Sequence, residues 1–369
     1  MKDRITFGSF ETITLLINTI SARVFLNFPR PIIEIAGSAG WLATIYVSLL
    51  AFLFFTVIQK LYFHFEGKDI IEISEIAGGN FVRVLIGVII LLLLIYICPV
   101  ILREYTENMK TIALPTSPIS YVTLFFISGL ICAAYVGIEA LVRLHALLLP
   151  VVVATFIFLI IAVVPYYDFT NLFPILGNGT KSIFIYSFFS LSNYAPLLYL
   201  FFLPPFIKTQ KIFVKSGYTA LGISFFILLS AALVYSLVIP YPTNTENFLP
   251  MYQLARLINY GRFFQRIESL FMLAWAATGL MYLSILFFFI LYVFKQTFKL
   301  SYYKPLIVPF AIIIYSLSLI PLNLMTAIEL ETKYYSYAAW FIVFIIPILV
   351  LLAARAKSIP SKKAGDANE

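Results

Sequence analysis

The feature that most constrains this chain is a succession of apolar stretches, each about 20 residues long and nearly free of charge. Hydrophobic residues make up 62% of the sequence and charged residues only 11%. A water-soluble domain would need a far more charged surface, so lipid is the solvent in which this chain is stable. Backbone groups have no partner in hydrocarbon, so each span must be a helix or part of a closed barrel. The stretches lack the period-2 alternation of barrel strands, which selects helices.

The hydropathy pattern predicts an all-α integral membrane protein with ten transmembrane helices, built as two five-helix halves. Residues 1–357 are predicted to form a single transmembrane domain, with halves of about 1–165 and 166–357. Residues 358–369 are predicted to be a disordered cytoplasmic tail. The predicted spans are 8–35 (interrupted), 41–63, 82–102, 119–136, 142–164, 182–207 (interrupted), 217–240, 268–294, 304–322 and 336–354.

Lysine and arginine residues predict the orientation of the chain in the membrane. With ten spans the two termini lie on one side, and the loops on that side hold about twice as many basic residues as the opposite loops. We therefore predict that both termini are cytoplasmic. The net charge of +8 is spread between the spans rather than gathered in a patch, so we expect the lipid bilayer and no nucleic acid as a partner.

Two connecting segments are predicted to have structure of their own. The segment 66–79 reads as a short amphipathic helix on the cytoplasmic side. On the opposite side, the segment 241–265 begins with prolines and continues with apolar residues at helical spacing. Glu139 and Arg143 are four residues apart at the start of span five, which predicts a helical ion pair.

Polar residues enter the membrane at two matching positions. The stretch 18–29 in span one contains five polar side chains and a proline, and the stretch 187–196 in span six is rich in serine and contains Pro196. Proline removes a backbone donor, so span six must kink or unwind. Interrupted helices at corresponding positions of two halves indicate the binding site of an inverted-repeat transporter. The alternative is that serine and threonine bond to their own helix and that prolines are tolerated in membrane helices.

We predict a ligand-binding site at these two breaks, completed by Tyr96 and Thr278 on other spans. Arginine at span depth costs about 2.5–3.5 kcal/mol on insertion scales, so Arg23 should face a cavity and have a partner. It is either a fixed cation that holds a substrate carboxylate or replaces a coupling sodium ion, or a structural residue that snorkels or pairs. The predicted ligand-binding residues are Thr19, Ser21, Ala22, Arg23, Tyr96, Ser187, Ser190, Ser192, Asn193, Tyr194 and Thr278.

Motifs of catalysis and cofactor binding are absent from the sequence. It has no Gly-x-x-x-x-Gly-Lys loop, Cys-x-x-Cys, His-Glu-x-x-His or Gly-x-Ser-x-Gly pattern. The two histidines lie near the ends of predicted spans, and the two cysteines lie within apolar runs. We therefore expect no enzyme activity, no cofactor and no metal site.

Several segments together resemble a known family over essentially the whole chain. They are FGSFETITLLI, FLNFPRPIIEIAGSAGWLA (25–43), IIEISEIAGG (70–79), TSPISYVTLFF with YVGIEALVRLHALLLPV, NLFPILGNGTKSI (171–183) and RIESLFMLAWAATG (266–279). In these segments the chain resembles the B subunits of bacterial spore germinant receptors, the GerAB-type spore germination permeases of the amino acid–polyamine–organocation superfamily.

The resemblance implies a LeuT-like fold, with a 5+5 inverted repeat and interrupted helices one and six. It also implies a place in the spore inner membrane beside germinant receptor A and C subunits, and a germinant pocket lined by residues 19–25 and 187–194. Two segments depart from the superfamily pattern. Residues 21–24 replace a glycine-rich break, and Asn193 and Tyr194 stand where relatives often carry an acidic residue.

The sequence thus predicts a nutrient-sensing subunit that binds a small molecule, an amino acid above all, where spans one, three, six and eight meet. Binding would shift the helix bundle between conformations and trigger germination through partner subunits. The alternative is an amino acid secondary transporter, or permease, that works by alternating access. A channel subunit is a third possibility, although no ring of charges or filter sequence is visible.

Overall fold

The computed structural model describes residues 6–258 and 267–365. Within these ranges the secondary structure is helical, with one isolated β-bridge between Phe7 and Ile207. The α-helices are α1 Ser9–Ser21, α2 Arg30–Ala36, α3 Gly40–Tyr62, α4 Ile70–Ile112, α5 Ile119–Val136, α6 Ile138–Ala162, α7 Thr180–Phe184, α8 Gln210–Val238, α9 Pro250–Leu257, α10 Ile267–Thr297, α11 Ile307–Ser318, α12 Leu324–Glu329, α13 Ser336–Trp340 and α14 Ile346–Gly365.

Eight helical segments of the described chain are long and apolar enough to cross a membrane. They correspond to every predicted span except the first and the ninth, so the integral membrane fold is confirmed and the count of ten is not. Span one falls short because α1 ends after 13 residues, at the predicted interruption. Span nine falls short because its apolar helix covers only Lys304–Ser318.

Both predicted interruptions are present in the structure. After α1 the chain forms a 3-10 turn at Ala22–Phe25, leaves helical geometry at Leu26 (φ −102°, ψ −97°) and resumes as α2. In span six, α7 is followed by a 3-10 stretch, Tyr186–Phe202, that contains Pro196. The weaker hydrogen bonding of 3-10 helices is often found where a helix acts as a hinge.

Helix α4 is longer than the span predicted from the sequence. It starts at Ile70, where Asp69 and Glu72 form a capping box, and it ends at Ile112. Gly78 and Gly79 break the helical geometry, and Gly79 has φ +73°, a conformation that glycine adopts without strain. The predicted short helix in the segment 66–79 is therefore the part of α4 that precedes this break.

Other connecting segments extend or agree with the sequence interpretation. The predicted helix in the segment 241–265 is α9, which buries Met251 and Leu254, while residues 259–266 lie outside the described residues. Glu139 and Arg143 form the predicted ion pair at 2.6 Å. Helix α14 continues to Gly365, past the point where the sequence predicted a disordered tail to begin.

Helix α1 lies at the centre of the bundle, between α6 and α8, and α10 packs against α4 and α6. Helix α8 also packs against α3, and a small residue allows the two helices to approach closely. At Gly217 in α8, an added Cβ would lie 2.0 Å from the ring of Phe55 in α3. The close contact between α3 and α8 therefore depends on the absence of a side chain at position 217.

Replacing Gly217 with alanine is expected to destabilise the protein by about 1–3 kcal/mol, because Phe55 is fully buried and its ring must shift. Gly222 lies on the same helix with nothing near its would-be Cβ. Gly222→Ala should instead be neutral or stabilising by up to about 1 kcal/mol, from helix propensity alone. The free energy of unfolding in mixed detergent can be measured for both variants. Equal changes in this free energy for the two variants would contradict the packing argument.

Candidate functional site

A polar cavity of about 240 Å³ lies between the break of span one, the 3-10 stretch of span six and the helical segment that follows α12. That segment, Leu330–Tyr335, is π-helical, a geometry that is often found at functional sites. The residues lining the cavity are Arg23, Pro31, Glu34, Ile35, Tyr186, Phe189, Ser190, Ser192, Asn193, Thr332, Lys333, Ser336 and Tyr337.

Charged groups of both signs border this cavity. Glu34 forms an ion pair with Arg30 at 2.6 Å, and Lys333 forms one with Glu329 at 3.2 Å. The side chains of Glu34 and Lys333 are 44% and 65% exposed, so both charges are accessible at the border of the cavity. The cavity can therefore accommodate a small ligand that carries both a positive and a negative group.

Arg23 has a buried carboxylate as its partner. Its Nη1 atom lies 2.6 Å from Oε1 of Glu331, and the two side chains are only 6% and 1% exposed. The guanidinium also lies over the ring of Tyr335, 5.7 Å from its centroid. Its Nε and Nη2 atoms are buried without a hydrogen-bond partner in the described structure. Arg23 thus has an ion-pair partner, yet it retains donors for a further acceptor.

A second carboxylate lies next to this ion pair. The amide nitrogen of Asn27 is 2.6 Å from Oε2 of Glu331 and 3.1 Å from Oε2 of Glu104, which projects from α4. All of these side chains are buried, and Oε1 of Glu104 has no partner among the described residues. These contacts form one carboxylate cluster, which consists of Arg23, Asn27, Glu104 and Glu331.

Four of the predicted site residues line the polar cavity: Arg23, Ser190, Ser192 and Asn193. The hydroxyl of Ser192 also donates a hydrogen bond to the hydroxyl of Ser336 across the cavity wall, at 2.9 Å. The structure therefore places polar residues of both breaks around one space, as the sequence predicts. Their role in binding a ligand stays a prediction.

The other predicted site residues do not line this cavity. Thr19 and Thr278 donate to carbonyl groups of their own helices, which agrees with the alternative interpretation of the sequence. Ser187 donates to the carbonyl of Ser182 in the preceding helix α7. The hydroxyl of Tyr194 pairs with Ser48, and that of Tyr96 donates to the carbonyl of Leu330. The remaining two, Ser21 and Ala22, are buried on the break of span one away from the cavity.

Ser21 and Thr278 border a separate, nearly closed gap between α1, α6, α8 and α10. Its remaining lining is almost entirely apolar, apart from Asn18. The side-chain amide of Asn18 is buried without a hydrogen-bond partner within the described chain. Six of the eleven residues predicted to form a single site therefore border two separate spaces, and the other five border neither.

Sequence reasoning missed both carboxylates of the cluster, because the predicted spans were ended at the first charged residues. Span three was predicted to end at residue 102, whereas α4 continues to Ile112 and carries Glu104 inside the bundle. Span ten was predicted to begin at residue 336, five positions after Glu331. The available signal was Arg23 itself, since an arginine at span depth requires a buried acceptor.

Comparisons with known proteins identify the family of this chain. The family model described as "Spore germination protein" matches residues 6–327. Spore germination protein A2 of Bacillus subtilis (strain 168) is 25% identical over 96% of this chain and 97% of its own length. Spore germination protein KB of the same organism is 25% identical over 65% of this chain and 66% of its own length, and protein YndE is 23% identical over 92% and 94%.

Among solved structures, the crystal structure of MhsT in complex with L-phenylalanine has a TM-score of 0.66 to this chain. The match covers 96% of this chain and 92% of MhsT, at 13% sequence identity. At that identity the likeness establishes the fold alone. The predicted LeuT-like architecture with interrupted helices one and six is therefore confirmed.

Proposed function

Because this chain belongs to the spore germination protein family, we propose that it is the nutrient-sensing membrane subunit of a germinant receptor. Its ligand is a small zwitterion of the amino acid class, bound in the polar cavity between the breaks of spans one and six. The site lies in the spore inner membrane or cell membrane, and the termini face the cytoplasm. A and C subunits of the receptor receive the signal.

The polar cavity with charges of both signs is the observation that carries this proposal. An amino acid needs a cation for its carboxylate and an anion or carbonyl groups for its ammonium, and the cavity has Arg23, Lys333 and Glu34 on its border. Its volume of about 240 Å³ lies below the roughly 300–1,000 Å³ of pockets for drug-sized ligands, which fits a small metabolite.

The irregular segments that line the cavity suggest how ligand binding is passed on to the partner subunits. Three of its sides are irregular: the break after α1, the 3-10 stretch Tyr186–Phe202 and the π-helical turn Leu330–Tyr335. In our proposal the ligand prefers one conformation of these segments and thereby shifts the population of the whole bundle. The shifted bundle then presents a different surface to the partner subunits.

The alternative function is secondary transport of an amino acid by alternating access. It is favoured by the LeuT-like fold, because the neighbouring structure, MhsT, was crystallised in complex with L-phenylalanine. Flux of radiolabelled amino acids into proteoliposomes that contain this chain separates the two functions. Uptake against a gradient would support the transporter, and binding without flux would support the receptor subunit.

The proposed site is tested by thermal unfolding of the purified full-length protein with each of the twenty proteinogenic amino acids. At about 100 times its dissociation constant, a ligand adds roughly 2.7 kcal/mol to the stability. Ser190 is buried in the cavity wall, so Ser190→Leu fills ligand space and should abolish the stabilisation. No stabilisation of the parent by any amino acid would contradict the proposed ligand class.

Ser128→Leu is the matched control for this experiment. Ser128 is exposed on the outer face of α5 and bonds to the carbonyl of Phe125 in its own helix. Leucine is favoured at the lipid-facing surface, so this variant should keep the full response of the parent. A response that persists in Ser190→Leu, or is lost equally in Ser128→Leu, would place the binding site outside the cavity.

A further inference from the structure

The carboxylate cluster contains more negative than positive charge. Glu104 and Glu331 are 0% and 1% exposed, and the guanidinium of Arg23 is the cation within the cluster. With both carboxylates ionised, the cluster would have a net charge of −1 in a low-dielectric interior. A single uncompensated charge in such surroundings costs several kcal/mol, so a further cation is needed to neutralise it.

The geometry places the two carboxyl groups against one another. Both Oε2 atoms accept from the same amide nitrogen of Asn27, at 3.1 Å for Glu104 and 2.6 Å for Glu331, so the two carboxyl groups share one donor. Two carboxylates this close cannot both be ionised, and a proton held between them removes the repulsion. Oε1 of Glu104 is buried without a hydrogen-bond donor in the described structure, so its surroundings disfavour the ionised form of this carboxyl group.

We propose that Glu104 and Glu331 form a proton-binding site, in which the pair holds one shared proton beneath the polar cavity. The side-chain amide of Asn27 directs its N–H group at both carboxyl groups, and this favours a proton over a metal ion between them. A sodium ion between the carboxylates would require oxygen ligands, whereas the group that reaches both is an N–H donor.

Within residues 6–258 and 267–365, the other titratable side chains around the cluster are phenols, which are neutral near pH 7. Tyr105 approaches from α4, Tyr282 from α10 and Tyr335 from the π-helical turn. None of them supplies a second positive charge. The proton shared by Glu104 and Glu331 therefore balances the charge of the cluster when Arg23 is paired with Glu331.

This proton site would also be linked to the ligand of the polar cavity, a consequence that rests on the proposed function. Arg23 both lines the cavity and pairs with Glu331. An anionic group that draws Arg23 toward the cavity leaves the pair with less positive charge nearby and so increases its affinity for the proton. By reciprocity, protonation of the pair favours binding of the anion.

Infrared spectroscopy of the purified full-length protein in heavy water tests the proton site without a ligand. A protonated carboxylic acid has a C=O stretching band separate from that of carboxylates. We expect this band near pH 7 in the parent, and we expect Glu104→Gln to remove it. Glu107→Gln is the control, because Glu107 lies on the same helix and forms an ion pair with Arg103 at 2.7 Å.

The parent spectrum is decisive even if the Glu104 variant folds poorly. A parent protein with no protonated-carboxyl band near pH 7 would overturn the proposal, as would a band that Glu104→Gln and Glu331→Gln both leave in place.

Thermal unfolding in sodium chloride and in choline chloride tests whether the cluster binds a metal ion instead. A stabilisation specific to sodium that Glu104→Gln abolishes would assign the cluster to sodium instead. Since neither readout uses an amino acid, failure of the cavity proposal would not affect them.

Discussion

Replacing Glu331 with alanine is expected to destabilise the protein by about 3–5 kcal/mol, the largest effect of any single substitution considered for this chain. The variant removes the direct ion-pair partner of the buried guanidinium of Arg23, which lies 2.6 Å from Glu331 in the parent. It also removes one of the two acceptors of Asn27. The free energy of unfolding in mixed detergent measures the loss.

Two further variants separate this cause from a general effect of truncation. Glu329→Ala removes a neighbouring carboxylate whose ion pair with Lys333 is 44% and 65% exposed, so its cost should stay below about 1 kcal/mol. Combining Arg23→Met with Glu331→Leu removes both charges of the buried pair. The double variant should recover most of the stability, because a buried ion pair is often replaceable by apolar residues of similar volume. If the double variant is as unstable as Glu331→Ala, the unpaired charge is not the cause.

Replacing Asp69 with alanine is expected to cost about 2–4 kcal/mol. Asp69 is fully buried and accepts a hydrogen bond from the backbone of Glu72 at 2.8 Å, which caps α4. Its other oxygen accepts from the hydroxyl of Tyr292 at 2.5 Å and from the amide of Gln296 at 2.9 Å, both on α10. The variant loses the cap and leaves two donors of α10 without their acceptor.

Hydrogen exchange locates this effect as well as measuring its size. The amides of residues 70–77 should lose protection in Asp69→Ala, because this first part of α4 is attached to α10 through Asp69 and ends at the Gly78–Gly79 break. Asp168→Ala is the control. Asp168 caps a short 3-10 helix through the backbone of Thr170 at 2.9 Å, but it is exposed, so its loss should cost much less than that of Asp69. Equal losses for the two variants would show that the contacts with α10 contribute nothing.

The membrane fold could be predicted because its cause is local in sequence. An uninterrupted apolar segment has no stable alternative to a helix in hydrocarbon, so composition and run length determined the spans. The same reasoning located the break after Ser21 and the irregular stretch that contains Pro196, since proline and clustered polar residues disturb a helix wherever it lies. Spans whose ends carry charges were predicted too short, as α4 illustrates.

The candidate site could be predicted only in part, because its geometry depends on which side of each break a residue faces. Ser190 and Ser187 are three residues apart in similar sequence surroundings, yet Ser190 lines the polar cavity and Ser187 bonds to the carbonyl of Ser182. Helical periodicity cannot make this distinction, because side chains three positions apart lie on the same face of a 3-10 helix.

The sequence by itself determined that this chain is a helical membrane protein with two broken spans, and that Arg23 needs a buried partner. Only the tertiary structure decided that the partner is Glu331, 308 positions later in the chain, and that Glu104 and Asn27 join it. The physical reason is that charge compensation acts through space. The cost of burying an arginine requires a counter-charge, but any carboxylate that the packing brings within reach can provide it.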